Sequence, residues 1–248
     1  MLPGLDADSF WIEPQARGTA PVLAWAAWKL AQIDPDAVMV SLHADHLLEP
    51  VDAFVETVAS AVEVARRDQL LLSIGVPPDR IETGYGHIEA GEALAPAGSA
   101  ASFRVKAFHE KPDAETARQY VDDGYLWNTG IFIWKAETIL QALQKFEPEM
   151  YRRLEVIAAS TGGDDFQRVF ATEFSAIERK SIDYAVMEHH DNVVVVEAPF
   201  DWDDMGGVLN KAEEEWQELK TELARDASAF NSEDVALEYG DVLFTLTN

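Results

Sequence analysis

A chain of 248 residues, 48% of them hydrophobic, has room for one large α/β core or two modest domains, and none of its apolar runs approaches the roughly 20 residues of a membrane-spanning helix. Its 19 Lys and Arg against 45 Asp and Glu leave a net charge of −26, which repels nucleic-acid backbones and anionic membranes, so a phosphate-bearing ligand must be held by a few placed cations or by a metal ion. Having no cysteine excludes disulfides, thiolate zinc sites and cysteine nucleophiles, and the opening MLPGLDADSF lacks both the basic and the apolar region of a signal peptide, so the chain reads as cytoplasmic.

In chain order, helical spacing over 20–32 (APVLAWAAWKLAQ) is followed by the strand-like VMVSL (38–42), a helix over 51–67 and the apolar run QLLLSIGV (69–76), which stops at Pro77 and Pro78. Further on, FRVKAF (103–108), LWNTGIFIW (126–134) and NVVVVEAPF (192–200) read as strands. DAETARQYV (113–121), AETILQALQKF (136–146), SIDYAVMEHH (181–190) and GVLNKAEEEWQELKTELA (207–224) read as helices. The alternation predicts a doubly wound, mostly parallel α/β sheet with helices on both faces and ligands beyond the carboxyl ends of its strands. That domain is expected over 1–224, with a small β-like unit opening at 225–248.

VMVSL delivers His43, Asp45 and His46 to its carboxyl end. A zinc hydrolase of the H-x-H-x-D-H type would need histidine where Ser41 stands, and the donors that remain are too few to hold zinc well. Incidental polar residues at a strand end are the plainer alternative. A third keeps Asp45 alone as a carboxylate for Mg²⁺, an ion that takes one or two protein carboxylates and completes its shell with water and substrate phosphate. APFDWDDMGG supplies a second acidic strand end, with Gly206 and Gly207 permitting a tight turn into a helix, although acidic loops in this position also serve as helix caps.

Seven segments occur in an order that resembles the mannose-1-phosphate guanylyltransferases, a family of sugar-nucleotide pyrophosphorylases. They are EPQARGTAP (13–21), VSLHADH (40–46), TGYGHIEAG (83–91), FHEKPD (108–113), WNTGIFIW (127–134), SIDYAVME (181–188) and FDWDDMGG (200–207), and they span nearly the whole chain. The resemblance implies a Rossmann-like fold and guanylyl transfer from GTP to mannose 1-phosphate with Mg²⁺ as cofactor. It places Glu13 near guanine, whose N1–H and 2-amino group a carboxylate can accept together, and matches Arg17 to the arginine of the same motif. Asp45 and Asp204 are implied as the metal ligands. Glu110 is implied for sugar hydroxyls and Lys111 for the phosphate joining sugar and nucleotide. Asn128 would meet sugar hydroxyls, Gly84 and Gly86 would let backbone amides approach the ligand, and Asp183 would cap a helix at the site.

The chain departs from the family pattern at Gly18, where asparagine is usual, and at His43, where proline is usual. The family's opening G-G-x-G-x-R-L-x-P loop and following P-K pair do not occur after Met1. The expectation is therefore an internal fragment without the sheet's first strand, slow to form GDP-mannose by itself. A non-catalytic relative that binds sugar phosphate or acts as an interaction subunit is the competing reading. A homodimer is compatible with the sequence, which leaves the oligomeric state open.

Overall fold

The computed structural model describes residues 11–94, 100–205 and Trp216. The chain divides into a unit Met1–Asp203 and a unit Asp204–Asn248. In the first, α1 (Thr19–Ile33) leads to β1 (Val38–Ser41), β2 (His46–Glu49), α2 (Val51–Arg67) and β3 (Leu71–Val76). There follow β4 (Gly86–Ala93), β5 (Ser102–His109), α3 (Ala114–Asp122), β6 (Leu126–Lys135), α4 (Ala136–Phe146), α5 (Pro148–Ala159) and α6 (Phe166–Ser175). A π-helical turn (Asp183–Met187), β7 (Val193–Glu197) and β8 (Asp201–Asp204) complete the order, and β8 carries the chain into the second unit.

The main sheet runs β1-β6-β3-β7-β5-β4. β3 and β7 pair in parallel, whereas β6 lies antiparallel between β1 and β3, and β5 antiparallel to both β7 and β4. The strands β1, β3, β4 and β7 thus share one direction while the pairings themselves are mixed. β4 also pairs with β6, through Gly86–Ile88, so the circuit β6-β3-β7-β5-β4 closes on itself.

Both faces are buried at β3, β6 and β7, which is why these strands read as continuous apolar runs rather than alternating ones. Along β7, Val193 and Val195 join the core formed with α1, α4, α5 and α6, while Val194 and Val196 join a second core with α2. β6 follows the same period, with Phe132 and Trp134 on the first side and Ile131 and Ile133 on the second. α3 starts where Asp113 accepts a 2.8 Å hydrogen bond from the Thr116 amide, so the predicted helix loses its first residue to the cap.

Four elements were not legible in the apolar pattern. β4 (GHIEAGEA) carries a polar outer half, β2 is a four-residue strand, and α5 and α6 lie in a polar stretch where only Met150, Leu154, Ile157, Phe170 and Phe174 are buried. DWDD, expected as an acidic turn, forms β8 and pairs with β2. SIDYAVMEHH, expected as a ten-residue helix, is a π-helical turn. The helix expected over 207–224 and the unit expected from 225 lie outside the described residues, Trp216 excepted.

Gly18 explains one departure from the family pattern. Its φ of +82° and ψ of 179° belong to a region open essentially to glycine, and a Cβ there would stand 2.4 Å from the Lys180 carbonyl oxygen. The backbone is this close because the two segments are stitched together: Lys180 N–H donates to the Arg17 carbonyl at 3.1 Å, Ala20 N–H to Lys180 at 3.2 Å, and Ile182 N–H to the Thr19 hydroxyl at 2.9 Å. Gly18→Ala should cost about 2 kcal/mol or more, read as a lowered urea midpoint at unchanged slope; a midpoint within error of the parent would refute this close approach.

Candidate active site

The site is built around Asn128 on β6. Its cross-strand partners are Gly75 on β3 and Gly86 on β4, so a polar side chain in the middle of a sheet stands between two residues without side chains. The amide is 8% exposed, and burial on this scale requires hydrogen-bond partners. Its Oδ1 accepts from the Ser73 hydroxyl at 2.8 Å and the Gly130 amide at 3.2 Å, and its Nδ2 donates to Asp183 Oδ1 at 2.9 Å. One N–H of the amide remains beyond these bonds.

Asp183 opens the π-helical turn, a geometry common at functional sites because it bulges a helix and re-aims its side chains. Burial pushes its carboxyl up, opposed by hydrogen bonds from its own backbone, Asn128 and Ser181 and by the charge of Lys111. Glu110 lies beside it just past the end of β5. Gly86 makes room for that carboxylate, since a Cβ on Gly86 would stand 2.7 Å from Glu110 Oε2 and 3.2 Å from the Asn128 Cβ. Burial, then the neighbouring Asp183 charge, raise the Glu110 carboxyl to about 6, with Lys111 acting against both. Glu188 accepts from the Glu110 amide at 3.2 Å, which adds a third carboxylate to the cluster.

Lys111 is the cation among these acids. Its Nζ lies 3.3 Å from Glu110 Oε1, and its side chain is 60% exposed. Its φ of +48° puts a non-glycine residue in the left-handed region, a strained conformation that tends to persist where function demands it.

The other candidate residues lie on the β1–β2 turn, ahead of α1, ahead of β4 and at the end of β8. His43, Asp45 and His46 sit on the turn from β1 into β2. The His43 ring lies against Gly130, whose amide is bonded to Asn128; a Cβ on Gly130 would stand 2.9 Å from His43 Nε2. Glu13 and Arg17 precede α1, on the segment tied to Lys180 and Ile182 just ahead of Asp183. Glu13 Oε2 is buried with no hydrogen-bond partner among the described residues, an acceptor that a ligand N–H could satisfy. Arg17 is engaged within the protein, its guanidinium donating to the Ser175 carbonyl at the end of α6 and to Gln15 at 3.1 Å. The Gly84 amide is likewise taken, donating to Glu82 at 3.0 Å. Asp204 ends β8 and begins the second unit.

A cavity of about 560 Å³ opens past the carboxyl ends of β3 and β7, lined among others by Pro77, Arg80, Trp127 and Trp202. Arg80 lies over the Trp127 ring at 4.9 Å and pairs with Asp79 at 2.9 Å and Asp203 at 3.2 Å. Ser73 and Arg80 lie outside the quoted motifs, and Glu188 closes SIDYAVME without a role read for it there. Ser73 has a signal all the same, being the one polar side chain in QLLLSIGV after its first residue.

Glu110 gives a testable titration. A folded-state value raised from 4.5 to about 6 means that the ionised carboxylate opposes folding above that pH, whereas the neutral acid below 4.5 does not. Glu110→Gln should therefore stabilise the protein at pH 8 by on the order of 1–2 kcal/mol and have little effect at pH 4. Urea denaturation at the two pH values checks this, and equal effects at both would remove the perturbed carboxyl.

A family model described as nucleotidyl transferase matches residues 7–210. Among curated relatives, a mannose-1-phosphate guanylyltransferase of Salmonella muenchen is 36% identical over 92% of this chain and 48% of its own length. Another, from Escherichia coli K12, is 39% identical over 79% of this chain and 41% of its own. The chain therefore spans about half the length, or less, of the curated relatives it matches. Among solved structures, one titled mannose-1-phosphate geranyltransferase, from Thermus thermophilus, superposes with a TM-score of 0.69 at 30% identity, covering 79% of this chain and 54% of that one. Among the described residues no helix is long and apolar enough to cross a membrane.

Proposed function

The chain belongs to the nucleotidyl transferase family, and on that premise we propose that it serves guanylyl transfer from GTP to mannose 1-phosphate in the cytoplasm, releasing pyrophosphate. The observation that carries this reading is the convergence of Glu110, Lys111, Asn128 and Asp183 at one rim of the sheet. Two carboxylates and an amide N–H match the hydroxyls of a hexose, and a lysine beside them matches its phosphate. The orphaned oxygen of Glu13 supports guanine as the base, because adenine offers no N1–H beside a 2-amino group.

In the proposed reaction a phosphate oxygen of mannose 1-phosphate attacks the α-phosphorus of GTP, and the bond to the β-phosphate oxygen breaks as pyrophosphate leaves. Lys111 holds the attacking phosphate as a compact point charge. Glu110 and Asp183 fix the sugar by accepting from its hydroxyls, and Asn128, held by Ser73 and Gly130, sets the direction of Asp183. Asp45, an exposed carboxylate of the type Mg²⁺ accepts, would hold that ion, with Asp204 assigned to it on the sequence resemblance alone; the ion would supply charge neutralisation between two polyanions.

Titration calorimetry with mannose 1-phosphate should show saturable binding that Lys111→Ala weakens by about tenfold or more and Lys111→Arg fails to restore, since a planar fork replaces a compact ammonium. Added GTP and Mg²⁺ extend the test to pyrophosphate release, which Lys111→Ala and Asp45→Asn should each suppress. Unchanged sugar-phosphate binding by Lys111→Ala would return this lysine to an ordinary surface turn and overturn the reading.

A further inference from the structure

We propose that His43, Asp45 and His46 form a mononuclear site for a borderline divalent transition-metal ion, of which Zn²⁺ and Co²⁺ are representative. Each of the three offers one ligand atom, and these atoms lie within 4.8 Å of one another. Ligands of a single ion with bonds near 2.1 Å stand roughly 3.4 Å apart in a tetrahedral shell and at most about 4.2 Å when opposite one another, so closing the site takes side-chain adjustments on the order of 1 Å.

The placement is built into the fold on both sides. β1 ends at Ser41 and β2 begins at His46, and the short turn between them folds positions i, i+2 and i+3 onto one another. The His43 ring rests in the notch left by Gly130, which has a φ of +69° and so cannot readily exchange its hydrogen for a side chain. The His46 ring stands edge-on to Trp202 of β8, at 5.1 Å and 80°, on the strand that pairs with its own. The two imidazoles are 4.8 Å apart between centroids. Both rings therefore approach Asp45 from supports on neighbouring strands, β6 for one and β8 for the other.

Donor chemistry then selects the ion. Mg²⁺ favours an all-oxygen shell, whereas two imidazoles with one carboxylate suit Zn²⁺, Co²⁺, Mn²⁺ or Fe²⁺. Three protein ligands leave positions open for water or a phosphate oxygen. The site stands on this geometry and its test does not require guanylyl transfer; at Asp45 it competes with the Mg²⁺ proposed for that reaction, so the two ions are alternatives at this carboxylate. When the histidines bind as well, the preference of the Asp45 carboxylate moves away from Mg²⁺.

The test is titration of the full chain, freed of metal by a chelator, with Co²⁺ alone, followed by calorimetry and by the visible ligand-field absorption that reports nitrogen ligands. One Co²⁺ per chain should bind, and a hundredfold excess of Mg²⁺ should not displace it. His43→Ala and His46→Gln should each weaken binding by about tenfold or more, and together abolish it. His43 is exposed, so its variant keeps the test interpretable if His46→Gln disturbs the packing on Trp202, and far-UV circular dichroism identifies that case. Co²⁺ affinity unchanged in His43→Ala, displacement by Mg²⁺, or binding that survives the double substitution would overturn the site. Loss of the guanylyl-transfer reading through Lys111→Ala leaves each of these outcomes unaffected.

Discussion

One buried side-chain amide organises the functional end of this protein. Asn128 lies within a sheet covered on both faces, where an unpaired polar group costs roughly 1–3 kcal/mol, and its bonds to Ser73, Gly130 and Asp183 remove that penalty. The same bonds dictate where the surrounding elements go. Ser73 must sit on β3 two residues before the cross-strand partner Gly75, Asp183 must project from a bulged helical turn to reach the amide, and Gly75 and Gly86 must leave space on either side. Glu110 occupies part of the space that Gly86 leaves, so carboxylate and amide are positioned by one arrangement of small residues.

Electrostatics adds a second constraint. In a chain of net charge −26, three carboxylates gathered at Glu110, Asp183 and Glu188 would drive anions away if all were fully ionised and unopposed. Partial burial raises two of them, and Lys111 contributes positive charge at the same rim. The rim thus sets hydrogen-bond acceptors beside a single cation. Strain at Lys111, where φ is +48°, is the conformational cost of bringing that ammonium to the rim.

Much of this is legible in the amino-acid sequence. The runs at β1, β3, β6 and β7 stand out because two buried faces make a strand uniformly apolar, and the strand-end rule directs attention to Asp45 and Glu110. Glu110 and Lys111, adjacent in sequence, converge with the distant Asn128. What the sequence conceals has no periodic signal. β4 is hidden because its outer half is solvated, Arg17 turns inward because the carbonyl at the end of α6 needs a donor, and the π-helical turn depends on contacts from residues 17–20 that local propensity does not encode. Gly18 is the clearest case: only the distance to Lys180 explains why this position has no side chain.

The closure of β4 onto β6 has a mechanical side. An open sheet yields by letting an edge strand splay, but around Asn128 the strands β6, β3, β7, β5 and β4 form a loop of pairings without a free edge. Splaying any one of them there breaks hydrogen bonds on two flanks at once. The floor of the site is therefore stiff and its compliance is confined to the segments standing on it, such as the Glu110–Lys111 turn. A bulkier ligand cannot gain room by spreading the strands beneath it, so whatever binds there meets a rigid template rather than an adaptable one.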